Sequence, residues 1–119
     1  MCGCEWVIEA HGCDAASLAD VKKLRALFDQ LTQALELHPV GDAKWHQFPG
    51  TGGITGMCLL AESHLACHTY PEHGIATFNL YCCRARPRWP WEARLREALG
   101  AREVTVRVLA RGHGPGGAP

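Results

Sequence analysis

Three apolar, β-rich segments follow one another between residues 54 and 83 with almost nothing separating them. ITGMCLLAE (54–62) and LACHTY (65–70) are two residues apart, and IATFNLYCC (75–83) follows the turn PEHG. A parallel connection needs a dozen or more residues. These strands must therefore fold back on one another as antiparallel neighbours. AKWHQF (43–48) adds a strand through the flexible turn PGTGG. EWVIEA (5–10) and EVTVRVLA (103–110) read as strands at the two ends, and the second alternates Val104, Val106 and Val108 with Thr105 and Arg107, which predicts one buried face. In 75–83 the pleat puts Ala76, Phe78, Leu80 and Cys82 on one face and Thr77, Asn79, Tyr81 and Cys83 on the other. The adjacent cysteines thus have different surroundings, one of them under a helix.

Such a sheet needs cover. Leu18, Val21, Leu24, Leu27, Phe28, Leu31 and Leu35 recur at steps of three and four, which predicts one amphipathic helix over 15–38. Asp14 is its N-cap, and Pro39 and Gly41 end it. A second helix is expected over 91–99, after Pro87 and Pro90 and before Gly100. The order β-α-β-β-β-β-α-β makes an α+β fold, a two-layer α/β sandwich whose mostly antiparallel sheet carries two helices on one face. The 119 residues form one domain without internal repeats, and 111–119 is expected to be a disordered tail. The second sheet face also needs cover, and a second subunit is the natural candidate.

Twelve basic and twelve acidic residues balance to zero net charge, which argues against nucleic acid as a partner. No apolar run approaches the roughly 20 residues that span a bilayer. The start, MCGCEWVIEA, has no basic or long apolar region of a secretory signal, so a cytoplasmic location is expected. Seven cysteines are an odd count and read as reduced thiols. Neither Cys2 and Cys4 nor Cys82 and Cys83 form a CxxC pair, and no metal is expected.

The densest chemistry lies in LLAESHLACHTYPEHG, residues 59–74. Ser63 near His64 and His68 suggests a nucleophile with its base, but there is no G-x-S-x-G elbow. His64, His68 and His73 could be metal ligands, although their spacing matches no recognised signature.

The block Gly53-Ile54-Thr55-Gly56, Ala61-Glu62-Ser63-His64-Leu65, His68-Thr69, Pro71-Glu72, Gly74 and Cys83 resembles the prokaryotic S-adenosylmethionine decarboxylase family. The likeness runs from about Trp6 to Ala110 and includes Gly12-Cys13-Asp14 after the first strand. It implies a proenzyme that cleaves itself between Glu62 and Ser63 into a β chain (1–62) and an α chain (63–119). Ser63 would become a covalent pyruvoyl group, the electron sink that decarboxylation requires. Thr55 and His68 match the hydroxyl and imidazole that assist processing, and Cys83 matches the acid that protonates the α-carbon once CO₂ has left. Phe48, Leu60, Glu62 and Glu72 fall where the family binds substrate, with Phe48 against the adenine and Glu72 at the ribose hydroxyls. Taken singly, Leu60 fits a core position equally well.

The resemblance further implies S-adenosylmethionine as substrate, its product serving as the aminopropyl donor for spermidine, and a homodimer of αβ protomers. Two positions depart from the family, which often has Asp at Asn79 and Gly at Arg84. Arg84 and Arg86 add positive charge beside Cys83, for the thiol or for a substrate carboxylate. These departures leave open a pyruvoyl-dependent arginine or ornithine decarboxylase, or a non-catalytic unprocessed paralogue.

Overall fold

The computed structural model describes residues 3–84 and 87–112. Six strands form one sheet: β1 (Gly3–His11), β2 (Lys44–Gln47), β3 (Ile54–Leu60), β4 (Ser63–Tyr70), β5 (Ile75–Cys82) and β6 (Glu103–Arg111). Their order across the sheet is β2-β3-β4-β5-β1-β6, and every neighbouring pair is antiparallel. The helices are α1 (Ala15–Leu18), α2 (Val21–Ala34) and α3 (Trp91–Leu99).

The expected single helix over 15–38 is two. Asp14 caps α1 through Ser17 N–H, and Asp20 caps α2 through Lys22 N–H. A carboxylate that accepts from the backbone two residues on starts a new helix rather than continuing the old one. The strand expected to end at residue 62 stops at Leu60, and β4 starts at Ser63 rather than 65. Ala61 and Glu62 alone make the hairpin turn. Arg111 belongs to β6, so the expected tail is shorter; its residues 113–119 lie outside those described.

The core fills the space between helices and sheet. Leu24, Phe28 and Leu31 of α2 and Leu95 and Leu99 of α3 are buried, together with Ile8, Leu65, Phe78 and Leu80 from the sheet. Cys82 is buried with them, as the pleat predicted, while Cys83 is half-buried. Two glycines of the motif permit close packing here. A Cβ on Gly56 would come within 2.3 Å of the Trp45 ring, which crosses it to reach Phe28, and a Cβ on Gly53 would meet the Thr69 carbonyl at 2.8 Å.

The expectation for β6 holds only in part. Val104 is half-buried, but Val106 and Val108 are 42% and 49% exposed. β6 is an edge strand, and Val106 and Val108 border an open hollow shared with Trp6, Trp89 and the first residues of α3. Among the described residues, nothing covers the opposite sheet face. Met57, Leu59, Tyr70 and Leu109 are exposed on it, alongside Thr55, His68, Asn79 and Tyr81.

Candidate functional site

The fold sorts the expected site residues into two groups at opposite ends of the sheet. The first surrounds the β3–β4 hairpin. Leu60 pairs with Ser63, so Ser63 opens β4 directly after the turn, and Ser63 pairs in turn with Cys82. The carbonyl of Glu62 accepts a hydrogen bond from Cys83 N–H at 3.3 Å. On the other side Ala61 N–H donates to His38 at 2.9 Å, and Pro39 bridges to Leu60. The hairpin tip is thus held from both flanks. A hollow of about 210 Å³ opens here, lined by Leu37, His38, Ala61, Glu62, Ser63 and Arg84. Leu60 does not share a face with Glu62, because the strand has already ended; its side chain is buried in the core.

Arg84 takes both oxygens of the Glu62 carboxylate, with Nη2 donating to Oε1 at 2.7 Å and Nε to Oε2. Its side chain is 62% exposed and that of Glu62 40%, so the pair adds little stability. Its effect is to fix where the Glu62 carboxylate points. Of the two uses considered for Arg84, a thiol partner and a substrate carboxylate, neither is the contact formed here. Arg86 lies outside the described residues.

The second group lies five residues down β4. Thr55 and His68 face each other across β3 and β4, and Thr55 Oγ1 lies 3.1 Å from His68 Nδ1, a hydrogen bond. Phe48 is 49% exposed, and His46 meets it edge-on at 4.6 Å. Glu72 is exposed in the 3-10 turn Pro71–His73 that follows β4. Five residues of antiparallel strand span about 17 Å. Within one chain His68 therefore cannot reach Ser63.

The open face also links His64 and Asn79 to Glu5 and Arg111, two residues that the sequence had not singled out. His64 Nε2 lies 3.1 Å from Asn79 Oδ1, and Asn79 Nδ2 donates to Glu5. Arg111 donates to the other oxygen of Glu5. The Asn79 hydrogen bond, opposed by partial burial and reinforced by Arg111, holds the Glu5 carboxyl below its ordinary range. Among the described residues, no group of three or more His, Cys, Asp or Glu side chains is arranged to hold a metal ion. Burial pushes the Cys67 thiol up to about 12, which makes it inert.

The profile of the S-adenosylmethionine decarboxylase family matches residues 4–112. A relative from Pelotomaculum thermopropionicum, an S-adenosylmethionine decarboxylase proenzyme, is 35% identical over 87% of this chain and 82% of its own length. One of the same description from Pyrococcus furiosus is 36% identical over 92% of this chain and 78% of its own. The crystal structure of adenosylmethionine decarboxylase from Aquifex aeolicus superposes with a TM-score of 0.77 at 26% identity, covering 98% of this chain and 96% of that one.

Proposed function

Because the chain belongs to the S-adenosylmethionine decarboxylase family, we propose that it cuts itself between Glu62 and Ser63 and then decarboxylates S-adenosylmethionine. The observation that carries this reading is the hydrogen bond from Cys83 N–H to the Glu62 carbonyl. It holds together the carbonyl to be attacked, the serine that attacks it and the thiol needed afterwards.

Processing begins with Ser63 Oγ adding to the Glu62 carbonyl carbon. The C–N bond breaks as the C–O bond forms, which leaves an ester and a free amine on residue 63. A base then removes the Cα proton, and the ester oxygen leaves with the Glu62 carboxylate. The remaining enamine takes up one water and releases ammonia, which creates the pyruvoyl group. Cys83 N–H stabilises negative charge on the Glu62 oxygen during the first step, as a preorganised donor. The hairpin suits such a cut. β3 stays paired to β2 and β4 stays paired to β5, so neither new chain end is the sole anchor of its strand.

The proton-moving pair Thr55–His68 must come from elsewhere, because about 17 Å separates it from Ser63 in the same chain. We assign it to a second copy. The two open sheet faces meet, and each site joins Ser63, Glu62 and Cys83 of one chain to Thr55, His68, Phe48 and Glu72 of the other. The exposed Met57, Leu59, Tyr70 and Leu109 are then covered.

Once formed, the pyruvoyl carbonyl would supply the sink for the electron pair that departing CO₂ leaves on the substrate's α-carbon. This chain's own residues do the rest. Phe48 offers an exposed ring for adenine and for the sulfonium charge. Glu72 accepts from the ribose hydroxyls. Cys83 delivers a proton to the α-carbon. Arginine and ornithine have neither adenine nor ribose and would leave Phe48 and Glu72 unused, which favours the nucleoside substrate. CO₂ release measured with S-adenosylmethionine, arginine and ornithine tests this. Release from the first alone is expected; release from either amino acid instead would reassign the substrate.

A further inference from the structure

A cut after Glu62 makes that residue a chain end, and the hydrogen bonds show where its supports stop. The segment that follows α2 runs beside the end of β3. Val40 N–H donates to the Leu59 carbonyl at 2.8 Å, and Ala61 N–H donates to the His38 carbonyl at 2.9 Å. These bonds hold residues 59–61 and do not depend on the Glu62–Ser63 bond. Glu62 lies one step beyond them and is gripped from the end of β5 by two consecutive residues. Cys83 N–H donates to its carbonyl, and the Arg84 guanidinium takes its carboxylate with Nη2 and Nε together. While the chain is whole, the two-residue turn also fixes Glu62 through its covalent link to β4. Cleavage removes that link and gives the same residue a second carboxylate.

We propose that Arg84 is a positioning residue for the cut form, a latch that keeps the new β-chain end at Glu62 beside residue 63. The inference rests on the reading that the chain cuts itself there. In the whole chain an exposed ion pair adds little to a residue that the hairpin already holds. In the cut chain the same guanidinium offers a planar fork that matches a carboxylate, and a charge opposite to the two on the chain end. Leu37 and His38 line the hollow together with Ala61, Glu62, Ser63 and Arg84, so the latched end forms one of its walls. A released end would open that wall and carry away the Glu62 carboxylate, one of the groups expected to meet the substrate. A glycine at position 84, as the family often has, could form no such pair.

The test is trimming of the cut protein by carboxypeptidase Y, followed by intact mass of each chain. The protease acts on the fraction of molecules in which the end is free, so a latched end is trimmed slowly. Chain 1–62 of Arg84→Ala should lose Glu62 about threefold faster than that of the wild type, with chain 63–119 in the same sample as the reference. Arg84→Lys keeps the charge without the fork and should fall between the two. Added salt should speed the loss in the wild type and leave Arg84→Ala unchanged relative to the reference. Equal trimming of Arg84→Ala and wild type, or a wild-type rate that ignores salt, would overturn the proposal. An Arg84→Ala chain that stays whole where the wild type is cut would put the role of Arg84 before cleavage and overturn it equally. A wild type that yields no chain 1–62 would contradict self-cleavage itself, and the latch would fall with it. Only that last failure lacks the cut chains, so the two readings fail distinguishably.

Discussion

At Glu5 the open face holds a carboxylate whose proton affinity is lowered first by one amide, with Arg111 adding to it and burial opposing it. Asn79 accepts from His64 with its oxygen and donates to Glu5 with its nitrogen. An aspartate at 79 could accept from His64 but could donate nothing to Glu5. A carboxyl held below its ordinary range stabilises the fold above about pH 4.3, and that contribution is lost as pH falls through the depressed folded value. Asn79→Asp should raise the Glu5 titration observed by NMR, through a lost donor and an added like charge, and acid unfolding should begin at higher pH. An unmoved Glu5 midpoint would show that Asn79 does not set it. Asn79 and Arg84 were visible in the sequence as departures from a pattern, but their partners were not. Glu5 is 74 residues from Asn79 and Glu62 is 22 from Arg84, and local periodicity does not reach across such separations.

Among the elements, the three central strands were legible because short connections leave only one way to pair them. The alternation in β5 likewise sorted Cys82 from Cys83 correctly. The break between α1 and α2 was missed because the apolar repeat runs through it unbroken, and only Asp20 marks the new start. The burial of Val106 and Val108 was overestimated for a related reason: alternation reports two faces but not whether anything lies against them. One buried hydroxyl ties the layers together. Thr69 is 4% exposed, donates to the Leu18 carbonyl at 2.7 Å and accepts from Ile54 N–H at 2.9 Å. Thr69→Val keeps the shape and strands both backbone groups, at a cost of about 1–3 kcal/mol each. Urea unfolding should show a loss of at least about 1 kcal/mol; unchanged stability would mean that both groups find other partners.

The whole molecule is where the sequence was least explicit. The residues matched to the family fall in one stretch of chain, yet the sheet separates them into a hairpin group and a Thr55–His68 group. A two-copy site makes a prediction that a one-chain site does not. Ser63→Ala retains His68, and His68→Ala retains Ser63. Each alone should remain uncut. When they are expressed together, pairing of unlike chains restores one complete site per mixed dimer, and roughly half of the His68→Ala chains should be cleaved. Persistent full-length His68→Ala in the mixture would place the proton-moving pair elsewhere.

All of this depends on the bond between Glu62 and Ser63, whose carbonyl Cys83 N–H holds in place. Denaturing intact-mass measurement of the purified protein tests it most directly. Two chains are expected, 1–62 and 63–119, the second beginning with a group that carries no amine. A single chain of 119 residues that persists through incubation would contradict it.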